Sequence, residues 1–312
     1  MDPRTIIDFA RIRPLAGWSI SASTVGVGLA LYLSNWHLIA LVPMLLGIIA
    51  VIIIQYVAHP LNDILDLDLD RKAAITETMR IKPIVDGRIT VNETKALSAV
   101  LLLVVLAIFA YLIYAQPLLI FPAAYGLGIM LGYSDKRIRL AYRPFAEVYI
   151  GIPVNTITVT IIAYIGSGVL SPLAILVGVA FSFSASTFFL SMMSMDYPND
   201  RLNDKRTTIV TFPRVHWCTY YPLIGLGVML ISSALLVGLI GLLPALVYAV
   251  PSSLVFVVLA WYGWRVDHLR DEYLEGKLPN PEGGSGHIRL RQLYLSIAYA
   301  GFLAVFFAVL GV

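Results

Sequence analysis

The chain has 312 residues, of which 59% are hydrophobic and only 13% charged, with a mean hydropathy of +0.82. A soluble domain carries about 45–50% apolar and about 25% charged residues, so this chain cannot coat a water-facing globule. That excludes a cytosolic enzyme, a disordered chain and a nucleic-acid binder, while a single cysteine, Cys218, excludes an internal disulfide and a multi-cysteine metal site.

A helix that crosses a bilayer needs about 20 mostly apolar residues. Nine such runs are expected, as one all-α integral membrane domain over residues 1–312: Leu15–Leu33, Leu38–Val57, Ala96–Ala115, Leu118–Gly132, Ala146–Gly166, Pro172–Ser194, Trp217–Ile240, Leu243–Trp264 and Leu290–Gly311. The fourth is the shortest at its clean core. No cleavable signal peptide is expected, because charged residues precede a first run too long for a signal segment.

The connections alternate in character. Ser34–His37, Gln116–Pro117, Ser167–Ser171 and Gly241–Leu242 are short and neutral. Ala58–Lys95, Tyr133–Phe145, Met195–His216 and Arg265–Arg289 are long and polar. With nine spans, the N-terminus and every long loop share one side, which then holds all 22 Lys and Arg and all 19 Asp and Glu. The positive-inside rule makes that side cytoplasmic and leaves the C-terminus outside. No charge falls at the centre of a span, which counts against an ion-coupled transporter. The chemistry is expected in one charged cap over an apolar bundle.

Two acidic motifs follow even-numbered runs. In Asn62-Asp63-Ile64-Leu65-Asp66-Leu67-Asp68-Leu69-Asp70, Asp63, Asp66 and Asp70 are spaced 0, 3 and 7. On a helix they share one face, with Asn62 beside it and Asp68 turned away. Asp196, Asp200 and Asp204 are spaced 0, 4 and 8, again one helical face, with Pro198 expected to kink the segment. Three carboxylates on one stripe repel one another, and a hard divalent cation such as Mg²⁺ removes that penalty. The alternative is a solvated acidic helix start. Two facing carboxylate clusters suit a diphosphate held through metal ions, and the apolar bundle suits a long hydrocarbon. The composite ligand is a polyprenyl diphosphate.

Basic segments accompany them. Tyr133, Ser134 and Arg139 begin a cationic run that either anchors the loop or reaches the diphosphate or the acceptor. Lys82, in a loop with a turn at Gly87, either contacts phosphate or is solvated. Lys205 follows the second motif at once. His59 and His216 read as interfacial residues, and Asn155, inside the fifth run, as interhelical glue or a substrate contact.

These residues resemble the UbiA superfamily of intramembrane prenyltransferases over nearly the whole chain. Asn62-Asp63-x-x-Asp66-x-x-x-Asp70 matches the family's NDxxDxxxD pattern, and Asp196-x-x-x-Asp200-x-x-x-Asp204 its second DxxxD-type motif. Arg13-Pro14 is similar to the family's Arg-Pro entry to the first helix, which implies Arg13 as a substrate contact, and Tyr133-Ser134 to its Tyr-Ser/Thr pair. Asn155 falls where some members carry Asn. The resemblance implies nine helices around a central cavity, with Mg²⁺ and diphosphate on Asp63, Asp66, Asp70, Asp196 and Asp200. Asp135, Lys136 and Arg137 replace the usual Pro-Pro region, Ala141 stands near a usual Lys, and Lys82-Pro83 replaces Arg-Pro. Asp204-Lys205-Arg206-Thr207 is similar to relatives that act on 1,4-dihydroxy-2-naphthoate.

The expected reaction is Mg²⁺-dependent transfer of a prenyl group to an aromatic acceptor of the quinone-precursor type, releasing pyrophosphate. Its rivals are a glycerol phosphate lipid or a tetrapyrrole precursor as acceptor, and a lipid or ion transporter. The topology has its own test. On a background with Cys218 replaced by Ser, a cysteine at Asn35 should react with an impermeant maleimide in intact cells. One at Arg137 should react only after permeabilisation. Labelling of both from outside contradicts the assignment.

Overall fold

The computed structural model describes residues 8, 16–72, 82–133, 135, 137–281 and 286–311. Arg13 and Ser134 lie outside the described residues. The described chain is helical. Among the described residues, eight helices are long and apolar enough to cross a membrane: α1 (Ala16–Leu33), α2 (Leu41–Leu65), α4 (Val91–Ala115), α6 (Glu147–Ser167), α7 (Pro172–Met195), α10 (Trp217–Ile240), α11 (Leu242–Leu274) and α12 (Gly286–Leu310). The fourth apolar run forms a shorter helix, α5 (Pro117–Gly132). Three short helices lie in the polar connections: α3 (Leu67–Lys72), α8 (Tyr197–Leu202) and α9 (Thr208–Thr211).

Local sequence sets the helix ends. Thr90 caps α4, its hydroxyl accepting from the Glu93 amide while the Glu93 carboxylate accepts from the Thr90 amide, a reciprocal capping box that starts the helix before its apolar run. Gly168 and Gly241 take positive φ between α6 and α7 and between α10 and α11, where both connections must turn sharply. The sequence expected Arg265–Arg289 to be a loop, yet α11 continues to Leu274. The reason is packing: Val266, Asp267 and Arg270 are buried along that extension. Asp267 and Arg270 pair at 2.9 Å, both fully buried. Asp267 also accepts from the Thr219 amide and hydroxyl, and Arg270 donates to the Val215 carbonyl, so neither charge is left unpaired.

The main core gathers α1, α6, α7, α10, α11 and α12. α7 is its axis. Its window is 78% buried, against 17–56% for the other spans. Small residues allow this, since lipid tails give helices no hydrophobic reason to associate and close backbone packing must supply it. Ser182 bonds Thr156 of α6 at 3.0 Å, and Ser184 bonds Ser296 of α12 at 3.2 Å. α2, α4 and α5 stand on the other side of α6 and α1, with a separate, smaller apolar cluster at their outer ends.

Two glycines fix the closest approaches. A Cβ at Gly263 of α11 would lie 1.9 Å from the Cys218 carbonyl oxygen of α10, and one at Gly28 would lie 2.4 Å from Cα of Ala304. Backbone cannot yield as a side chain does. Gly263→Ala should therefore lower the thermal midpoint of the detergent-solubilised protein by an amount equivalent to about 1–3 kcal/mol. Gly128→Ala, whose Cβ would meet nothing within 4 Å, should leave it unchanged. Equal midpoints for both variants contradict this packing.

Candidate active site

Both acidic motifs straddle a break between a spanning helix and a short one. α2 ends at Leu65, Asp66 takes φ −98 and ψ 4, and α3 begins at Leu67. α7 ends at Met195, Asp196 takes φ −79 and ψ 0, and α8 begins at Tyr197. Pro198 lies in the first turn of α8, where its missing amide costs nothing, so the expected kink falls just ahead of it. Main-chain bonds continue through both breaks: the Asp70 amide donates to the Asp66 carbonyl at 2.8 Å, and the Asp200 amide to the Asp196 carbonyl at 2.8 Å. The two motifs thus begin alike, each breaking its span at an aspartate and resuming in a short helix.

The carboxylates are buried rather than solvated. Asp63, Asp66, Asp70 and Asp200 are each below 10% exposed, whereas Asp68 faces outward as its spacing requires. Lys82, expected to be solvated or on phosphate, is itself buried. Its Nζ lies 2.5 Å from Asp70 and 3.6 Å from Asp63. Lys205 Nζ lies 3.4 Å from Asp66 and 4.9 Å from the centre of the Tyr142 ring. The Tyr142 hydroxyl donates to Asp66 at 2.7 Å, and the Arg139 guanidinium stacks on the same ring at 5.4 Å. Arg139 is thus exposed above Tyr142.

The fields of the two motifs overlap. Burial pushes the Asp200 carboxyl up to about 7, with Lys205 opposing and Asp196 adding to the rise; Lys82 and Asp66 also reach it. Burial likewise raises Asp70, while Lys82 draws it back. Burial works against the charge on Lys205, but Asp200, Asp66, Tyr142 and Asp70 outweigh it and hold the ammonium above its usual range. Lys205 and Lys82 therefore oppose, without cancelling, the rise that burial imposes on Asp200 and Asp70.

Two expected residues are not brought to this cluster. α8 ends at Leu202, and Asp204 lies beyond it in the left-handed region at φ 53 with its side chain 91% exposed. The 0, 4, 8 spacing fails there because the helix has already stopped. Asn155 donates to the Gly151 carbonyl of its own helix at 2.8 Å and is 1% exposed. Val154 and Thr158 face the cavity, so Asn155 is turned out of its lining.

Tyr142 and Glu147 belong to neither acidic motif, yet both bear on the site. Glu147 is fully buried at the head of α6 and accepts from Thr208 at 2.8 Å and from Trp217 at 2.6 Å. Thr208 in turn accepts from the Phe145 amide at 2.6 Å, and the Arg206 amide donates to the Tyr142 carbonyl at 3.1 Å. These bonds join the Tyr142–Glu147 segment to the Lys205–Thr208 segment and so set where Lys205 stands. An isolated acid at the start of an apolar run was the available signal.

Beneath the carboxylates an apolar cavity descends between α1, α2, α4, α5, α6 and α7. Asn62, His59 and Tyr133 line its upper end, with Trp18, Tyr125, Phe188 and Phe189. His59, read as interfacial, thus faces the cavity. His216 instead pairs with Asp271 at 2.8 Å. The first turns of α1 and α6, Ala16–Ile20 and Glu147–Gly151, are π-helical and both border the upper cavity.

The UbiA prenyltransferase family model matches residues 21–275. The chain belongs to this family. Its members are prenyltransferases, and this chain is one, a multi-pass membrane protein. No curated protein matches the sequence. Among solved structures, a UbiA homologue from Archaeoglobus fulgidus superposes with a TM-score of 0.65 at 17% identity, covering 98% of each chain. The same homologue bound to DMAPP and Mg²⁺ gives 0.57 at 16% identity, over 96% of this chain and 98% of that one. The apo UbiA homologue from Aeropyrum pernix K1 gives 0.59 at 19% identity, over 94% and 97%. A digeranylgeranylglyceryl phosphate synthase gives 0.58 at 17% identity, over 98% and 97%. At these identities the likeness shows the fold.

Tyr142→Phe keeps the ring beneath Lys205 and Arg139 but removes the bond to Asp66. A hydrogen bond to a charged group is worth about 1.5–3 kcal/mol, so prenyl transfer should fall by about ten- to a hundredfold with the thermal midpoint little changed. Steady-state transfer rates check this, and an unchanged rate contradicts a role for the hydroxyl.

Proposed function

We propose that the protein transfers a prenyl group from a prenyl diphosphate to a neutral aromatic acceptor, with the diphosphate held by Mg²⁺ on the two carboxylate motifs. The observation that carries this reading is the burial of Asp63, Asp66, Asp70 and Asp200, from two motifs at matching helix breaks, over an apolar cavity.

The residues fit the metal. All candidate ligands are hard oxygens: Asp63, Asp66, Asp70, Asp196 and Asp200. Among the described residues no three acid or histidine side chains already form a closed cage. Mg²⁺ is usually bound by one or two carboxylates, with substrate phosphates and waters completing the shell, so an open set is what it requires. When bound, it would neutralise the diphosphate and stabilise it as a leaving group. Solved structures of a family homologue bound to DMAPP or GPP with Mg²⁺ support the assignment.

The chain's own groups act around it. Lys82 and Lys205 neutralise the carboxylates before substrate arrives, and their ammonium groups are placed to turn to phosphate oxygens afterwards. Arg139 adds a planar donor for phosphate at the mouth. Asn62 and Tyr133 border the junction of head group and tail. The C1–O bond breaks, and its electron pair leaves with the diphosphate. The allylic cation is flanked by Trp18, Tyr125, Phe188 and Phe189, whose rings can face it. The acceptor carbon then bonds C1 and gives up its proton, for which the released pyrophosphate is an available base. The dry cavity strengthens these electrostatics and keeps water from the cation.

The cavity lining supports an uncharged acceptor. Its described residues include five aromatic side chains near the mouth and neither Lys nor Arg. A phosphate-bearing acceptor would need a second cationic cradle there. The cap is read as cytoplasmic and the C-terminus as external, because every Lys and Arg lies on the cap side of the expected spans.

The test is incubation with radiolabelled geranylgeranyl diphosphate, Mg²⁺ and a panel of aromatic and glycerol phosphate acceptors, scoring prenylated product and pyrophosphate. Transfer only to a glycerol phosphate overturns the aromatic reading, and no transfer at all overturns the whole. Asp63→Asn and Asp200→Asn should each cut transfer by about a hundredfold or more with folding intact, and EDTA should abolish it. Asp204→Ala should stay within a few-fold of the unmodified protein.

A further inference from the structure

The cavity is long, and its outer end is shut by packing. Its wall on α2 runs from Asn62 down to Gly47, and its wall on α6 from Ile150 down to Ile165. Each covers fifteen residue steps of helix, about 22 Å at a rise of about 1.5 Å per residue. At the far end stand Gly47, Leu112, Leu119 and Ile165. Three of these also belong to the small apolar cluster of Ala30, Met44, Leu112, Leu119, Ile162 and Ile165, a unit distinct from the main core, with every member at most 5% exposed. A Cβ at Gly47 would meet the Ile165 Cδ1 at 2.9 Å and the Ile162 Cδ1 at 3.3 Å, so α2 comes down directly onto the plug.

Four carbon–carbon bonds of about 1.5 Å in a zigzag advance about 5 Å, so about four isoprene units fill the distance from cap to floor. A close-packed apolar cluster has no room to admit another unit without displacing its members. We propose that this plug is a ruler: Gly47, Leu112, Leu119 and Ile165 set the longest prenyl tail the protein accepts, at about four isoprene units. The proposal rests on the transferase reading above and specifies its donor.

Binding separates the two. The probes are unreactive prenyl thiodiphosphates of one to eight isoprene units, titrated with Mg²⁺ into the solubilised protein. For the unmodified protein, affinity should rise with each unit to about four and then drop by about tenfold or more, as a filled apolar pocket rejects added methylenes. In Gly47→Leu, which fills the floor with a flexible side chain, the drop should move to shorter tails while the one-unit probe binds as before. In Leu112→Ala, which opens the floor, it should move to longer tails. If Gly47→Leu fails to fold, Leu112→Ala carries the test alone. Affinity that keeps rising or stays level past four units in the unmodified protein means that the tail leaves between helices, and overturns the ruler while sparing the transferase reading. The same holds if the drop does not move in either variant. Failure of every probe to bind with Mg²⁺ overturns both.

Discussion

Everything in the cap depends on offsetting the cost of carboxylates buried where water is scarce. Burying an ionised carboxylate is costly unless a counter-charge or hydrogen bonds accompany it. Here Lys82 serves Asp63 and Asp70, while Lys205 and Tyr142 serve Asp66. The rest of the cap serves those two ammonium groups. The turn after Lys82 leads to the capped start of α4. The Glu147–Thr208 bonds fix the segment that carries Lys205. A site held by movable cations on long side chains is ready to exchange them for another cation, and that is how the structure leads to its chemistry.

The position of the cap follows from the bundle below. α2 and α7 each end just short of an aspartate, so each hands its acidic motif to a short helix across the same kind of break. α7 can stand at the centre of the molecule because its small residues let α6, α10 and α12 approach it closely. α2, α4 and α5 are packed more sparsely on the other side, and the cavity opens between these two parts. The dense side gives the site rigidity, and the sparse side gives it room.

Much of this could be read in the sequence. The placement of all charges in alternate connections gave the membrane class and the cap, and the spacing of Asp63, Asp66 and Asp70 gave one inward face. Asp204 misled because spacing assumes a continuing helix, whereas the chain leaves the helix after Leu202. Spacing left Asn155 open between interhelical glue and a substrate contact, since only the observed phase of α6 tells which side faces the cavity. Lys82 was visible as a cation but not as a counter-ion, because its approach to Asp70 depends on the path of the intervening chain. Tyr142 was hidden in a basic run. The floor residues Gly47, Leu112, Leu119 and Ile165 are chemically the same as residues that face lipid, and no periodicity separates them.

The central claim is that two carboxylate motifs form one site, which takes divalent metal and diphosphate together. Its most direct test is calorimetric titration of Mg²⁺ into the purified protein with and without inorganic pyrophosphate, repeated for Asp63→Asn and Asp200→Asn. The account expects tight Mg²⁺ binding only with pyrophosphate present, and its loss in each single variant although the two residues lie on different helices. Binding of Mg²⁺ and pyrophosphate by either variant as tightly as by the unmodified protein would contradict it.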